Sequence, residues 1–111
     1  MPTYEFGDTV LVPFPFTDLS LSKRRPSIVL SSLSFNKANG QTIMGMITSA
    51  TRSLWAGDIV IADLEAAGIP HPSVIRFKLF TLPNDLVVRQ LGCLGPVDQN
   101  NLRAGMAQIF R

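Results

Sequence analysis

The sequence has little of what marks disulfide-stapled, metal-binding or membrane-spanning chains. One cysteine, Cys93, among 111 residues excludes an internal disulfide, so a reducing, cytoplasmic setting is expected. Its neighbours in Leu91-Gly92-Cys93-Leu94 predict a small buried hydrophobe rather than a nucleophile. One histidine, His71, excludes a mechanism in which two histidines of one chain act as acid and base. It lies in Pro70-His71-Pro72, a stiff surface turn, and reads as structural or solvent-exposed rather than catalytic. The six aspartates and two glutamates show no metal-site spacing, and no glycine-rich phosphate loop is present. No cofactor is expected. No apolar run approaches the ~18 residues needed to span a bilayer, so no membrane partner is expected. The opening MPTYEFGD has no basic stretch followed by an apolar one, and no secretion signal is expected either.

Charge is also scarce. Charged residues make up 16% of the chain and hydrophobic ones 46%, against a usual charged share of about 25%. A small domain has much surface for its volume, so this shortage predicts that a second subunit covers part of it as a homodimer. The length suits a single domain over residues 1–111.

What is present reads mainly as short strands. In Thr9-Val10-Leu11-Val12 and onward, Val10, Val12, Phe14 and Phe16 share one face at period two. Pro13 and Pro15 cannot donate to a ladder, so this stretch is expected to end at a sheet edge or to leave the sheet. A polar loop over 17–25 precedes strands at 26–32 and 42–48, with Asn39-Gly40 between them as a tight-turn signal. A short strand is expected at 58–61, and Asp63 is placed to cap a helical turn over Leu64-Glu65-Ala66-Ala67 that Gly68 and Pro70 stop. Residues 73–82 alternate, with Ile75, Phe77 and Leu79 on one face and Arg76 and Lys78 on the other. A last strand over 86–91 leads to a tail in which Leu102, Met106, Ile109 and Phe110 recur at helical spacing and are expected to face the sheet. The reading is mainly β: a small SH3-like barrel of five to seven short antiparallel strands with a C-terminal helix.

The net charge of +2 is weak, but its distribution is uneven. The first twenty residues carry only acids (Glu5, Asp8, Asp18), whereas Lys23, Arg24 and Arg25 stand together. A local basic surface can attract phosphate even on a near-neutral protein, because screening confines charges to about 8–10 Å. Pro26 holds the Arg25 backbone extended, which gives that side chain a defined direction. A planar guanidinium can grip phosphate oxygens with two parallel hydrogen bonds. Thr48 and Ser49 end the neighbouring strand; if the two strands are adjacent, Arg25 lies near a pair of hydroxyls. Arg76 and Lys78, with Lys23 and Arg24, are secondary candidates for guiding a nucleic-acid strand. The arginines of the last third, Arg89 and Arg103 among them, read as a solvated face. Phe14, Phe16 and Trp55 could stack on bases but are more commonly core residues.

The run from Gly7 to Ser20 (GDTVLVPFPFTDLS) resembles the opening signature of the PemK/MazF toxins. Lys23-Arg24-Arg25-Pro26-Ser27-Ile28-Val29-Leu30 follows at the family's distance, and Met46-Ile47-Thr48-Ser49 is similar to its second motif. The segments 63–70, 72–74 and 79–82 continue the pattern of one branch. The resemblance implies a dimeric toxin of a type II toxin–antitoxin pair. It implies a metal-independent endoribonuclease on single-stranded RNA or mRNA, in which the 2′-hydroxyl attacks the adjacent phosphate. Arg25 maps to the family's catalytic arginine and Thr48 to its catalytic threonine, with Ser49 a possible assistant. In those roles Arg25 would stabilise charge on the five-coordinate phosphorus, and Thr48 would orient the 2′-hydroxyl or bind a nonbridging oxygen. Implied partners are a cognate antitoxin and, through the antitoxin complex, operator DNA. Two other functions compete: a non-catalytic CcdB-like toxin that inhibits a protein target, and a DNA-binding, autoregulatory module.

Overall fold

The structure, a computed structural model, describes residues 2–14, 23–51 and 54–110. Among the described residues, six strands form one antiparallel sheet. They are β1 (Asp8–Phe14), β2 (Lys23–Val29), β3 (Gln41–Ser49), β4 (Ile59–Val60), β5 (Ser73–Pro83) and β6 (Arg89–Cys93). Their order in the sheet is β4-β5-β3-β2-β1-β6. Three α-helices accompany them in the described residues: α1 (Leu33–Asn39), α2 (Leu64–Ala67) and α3 (Pro96–Ile109). The expected mainly β architecture with a C-terminal helix is what forms, as a curled half-barrel.

Successive side chains on a strand point to opposite faces, and both faces are apolar. Ile28, Ile47 and Ile75 turn one way, to pack with Ala67 of α2 and Leu102 of α3. Val10, Val12, Val29 and Met44 turn the other way, against Tyr4 and Leu82. Pro13 pairs with Arg24 on β2, but the β6 ladder ends at Leu11. The proline therefore sits where β1 is locally an edge, as its missing N–H requires.

Several local expectations are corrected. Lys23, Arg24 and Arg25 do not sit in a loop; they begin β2. Asn39-Gly40 is not a hairpin turn. Ser32 caps a helix instead, accepting a hydrogen bond from the Phe35 N–H, and Gly40 closes it in the left-handed region at φ +64°. The turn chemistry was legible, but positive φ serves a helix C-cap as well as a hairpin. Helix α1 is anchored by its buried Asn36, whose amide donates to the Tyr4 carbonyl at 2.8 Å. In α3, Leu102 is fully buried and Met106 packs on the core, but Ile109 and Phe110 are about half exposed because the helix outruns the sheet. Cys93 is exposed at the end of β6. The pairing of β5 with β3 shifts by two residues within the strand: Met46 faces Arg76, but Met44 faces Phe80. Ile75 and Phe77 pack on the core, whereas Leu79, expected on the same face, is exposed.

Helix α2 sets the position of the loop after it. Asp63 Oδ1 accepts from the Ala66 N–H at 3.0 Å, as the capping signal predicts. Gly68, at φ +68°, ends the helix. A Cβ at Gly68 would stand 2.2 Å from the Leu91 carbonyl oxygen, and one at Gly92 2.3 Å from that of Ala66. Only glycine lets α2 settle directly on β6. The segment Ile69-Pro70-His71 is thereby carried across to the ends of β2 and β3.

Candidate active site

The site forms where two strands part. β2 and β3 are paired at Val29–Met44, Ile28–Gly45 and Ser27–Met46, and the ladder stops there. Next on β2 comes Pro26, which has no N–H to donate. The same register carried two residues further sets Arg25 opposite Thr48. On its other side Arg25 is still held by β1, opposite Val12. One side of the strand is fixed while the other is released, and a cavity of about 570 Å³ opens there.

Arg25, Thr48 and Ser49 all line this cavity, over an apolar floor that includes Leu11, Ile47 and Ile69. A second hollow of about 220 Å³ adjoins it, lined by Phe14, Arg76 and Lys78 and sharing Arg25 and Thr48 with the first. These two side chains therefore stand at the junction of both hollows. Arg25 is exposed, and no ion pair joins it to another described residue. Its charge is available to an incoming anion. Ser49 is partly engaged: its hydroxyl lies 2.8 Å from that of Thr51 and accepts from the Thr51 N–H at 3.3 Å.

The secondary cations fare differently. Arg76 donates to Asp58 from Nη2 at 2.9 Å and from Nε at 3.3 Å, and stacks over Trp55 at 5.1 Å from the ring centroid. This hydrogen bond holds the Asp58 carboxyl below its ordinary range and pushes the Arg76 guanidinium up. Arg76 is thus a neutralised wall of the second hollow. Lys78 is exposed, with its ammonium 6.0 Å from the centre of the Phe14 ring. Lys23 and Arg24 are exposed and line neither hollow. Trp55 is about half exposed rather than core, and Phe16 lies outside the described residues.

Two ionisable residues of the main cavity, Arg89 and His71, were not singled out by the sequence as site residues. Arg89 had read as part of a solvated face. It reaches the cavity because β6 pairs with β1 and sets it opposite Leu11, a non-local contact with no local signature. For His71 the flanking prolines signalled a turn but not its neighbours.

An exposed guanidinium and a threonine hydroxyl share a hollow that has two arginines and no carboxylate among its described lining residues, a chemistry that suits an anion such as phosphate. The sequence profile of the PemK-like, MazF-like toxins of type II toxin–antitoxin systems matches residues 5–110. The chain belongs to this family. No curated protein matches it in sequence. Solved structures share its fold. A mycobacterial endoribonuclease in complex with its cognate antitoxin is 14% identical, with a TM-score of 0.75 over 97% of this chain and 93% of that one. MazF in a MazE–MazF complex of Deinococcus radiodurans is 18% identical, with a TM-score of 0.75 over 97% and 96%. The Mycobacterium tuberculosis toxin MazF-mt6 is 19% identical, with a TM-score of 0.72 over 93% and 95%.

Proposed function

We propose that this chain is an endoribonuclease that cuts single-stranded RNA, mRNA included, by attack of a ribose 2′-hydroxyl on the adjacent phosphate. The observation that carries the reading is the presence of Arg25 and Thr48 in one cavity of about 570 Å³. Attack gathers negative charge on the phosphoryl oxygens, and a strand-held guanidinium offers two parallel donors to them without rearrangement. Thr48, across the strand gap, holds the 2′-hydroxyl or a nonbridging oxygen, with Ser49 assisting. The exposed cations Lys23, Arg24 and Lys78 guide the flanking strand, and Arg76 shapes the second hollow. No step calls for a metal ion. The solved endoribonuclease with its cognate antitoxin supports both the activity and an antitoxin partner. The exposed apolar side chains, Leu54 and Val60 among them, support a homodimer.

The test is incubation of purified protein with single-stranded RNA in EDTA, followed by sequencing of the new 5′ ends. Cleavage leaving 5′-hydroxyl and 2′,3′-cyclic phosphate ends is expected. Arg25→Ala is expected to cut roughly 10²–10³-fold more slowly with its melting temperature unchanged. A mutant as fast as wild type would remove Arg25 from the chemistry, and a wild-type protein that cuts no RNA would end the nuclease reading.

A further inference from the structure

We propose that His71 is a catalytic residue of this site, taking the proton from the attacking 2′-hydroxyl while Arg25 holds the phosphate. The inference rests on the ribonuclease reading and goes beyond it, because neither Arg25 nor Thr48 accounts for the proton. A guanidinium remains charged at any workable pH, and a hydroxyl of ordinary acidity is a poor base. Histidine is the side chain that changes charge between about pH 5 and 8.

His71 lines the same cavity as Arg25, Thr48 and Ser49. The turn that carries it is tied down at three points. The Ala50 N–H, one residue beyond Ser49, donates to the Pro72 carbonyl at 3.0 Å. The Ser73 hydroxyl donates to the His71 carbonyl at 2.8 Å. Ser73 and Val74 then pair with Ser49 and Thr48 in the β3–β5 ladder. Prolines on both sides of His71 stiffen the turn further. The residue is exposed, and no hydrogen bond joins its ring to another described residue, which leaves the imidazole open to a substrate. The charged groups sharing the cavity are Arg25 from β2 and Arg89 from β6, and no carboxylate is among its described lining residues. Among those described residues, His71 is the group whose ordinary chemistry includes accepting a proton near neutrality.

The step balances. The neutral imidazole accepts the 2′-hydroxyl proton as O2′ bonds to phosphorus and the bond from phosphorus to O5′ breaks. The departing O5′ takes a proton from water, and the imidazolium returns its own to the hydroxide so formed.

The experiment compares wild type, His71→Gln and His71→Ala on one single-stranded RNA across pH 5.5–8.5, with melting temperatures measured in parallel. Wild-type kcat/KM is expected to fall on the acid side as the imidazole protonates. His71→Gln should lose that limb and run about 10²–10⁴-fold slower near neutrality, and added imidazole should partly restore His71→Ala. If His71→Gln stays within threefold of wild type, or is slower but keeps the same acid limb without imidazole rescue of His71→Ala, the proposal fails and the nuclease reading survives. If wild type cleaves no RNA, both fail together.

Discussion

Arg25 and Thr48 line one cavity beyond the point where the β2–β3 ladder stops, and each is held by its other neighbour strand only: Arg25 by Val12 of β1, Thr48 by Val74 of β5. Their strands are anchored and their side chains are not. That division separates activity from stability. Thr48→Val, which keeps the shape and removes the hydroxyl, is expected to slow RNA cleavage at least tenfold, whereas Thr48→Ser retains most of it. Arg25→Lys is expected to fall well below wild type, since an ammonium cannot offer two parallel donors. Initial rates, with circular-dichroism melts as the folding control, check all three.

The Asp58–Arg76 pair makes stability depend on acid. Asp58 is held below its ordinary value by the Arg76 hydrogen bond. A carboxyl depressed in the folded state contributes stability above its unfolded pKa of about 3.9 and loses it as pH falls through the depressed value. Wild type should therefore lose melting temperature between pH 5 and 3 more steeply than Asp58→Asn. Parallel slopes for the two proteins would show that the pair contributes nothing.

Ser27 places a fully buried hydroxyl, without a hydrogen-bond partner among the described residues, between Val10 and Met46. An unsatisfied buried polar group costs about 1–3 kcal/mol. Ser27→Ala is expected to raise unfolding stability by about 1 kcal/mol after the small void it leaves is deducted. Urea denaturation measures this, and destabilisation by a similar amount would contradict it.

Asp98 is the reverse case. It is almost fully buried, and its two oxygens accept from the Ala62 and Asp63 N–H groups, each at 2.9 Å. It ties α3 to the start of α2 and so, indirectly, fixes the loop bearing His71. Asp98→Ala strands both donors and is expected to cost about 2–4 kcal/mol, read from the shift in urea midpoint. Asp98→Asn keeps one acceptor and should lose roughly half as much.

Much of the fold was legible locally. Alternation marked β1 and β5, and the Asp63 cap and Gly68 stop bounded α2. Errors fell where one local signal serves two geometries, as with Asn39-Gly40, or where periodicity ran past the surface available to bury it, as with Ile109 and Phe110. At the site, Arg25-Pro26 and Thr48-Ser49 stood out because each motif has a local physical meaning. Arg89 did not, since only the β1–β6 pairing brings it to the cavity. Arg76 looked like a free cation until its partner Asp58, eighteen residues earlier, came into contact.

The sequence alone determined the strand-rich class, the placement of a rigid arginine after a basic run and of hydroxyls at a strand end, and family membership. These depend on side-chain identity and short spacing, which a linear chain carries in full. Tertiary structure alone decided which cations remain available, which side chains share a cavity and where the single histidine stands. Those outcomes depend on contacts between residues far apart in the chain, formed only when sheet pairing and the close seat of α2 on β6 bring the segments together.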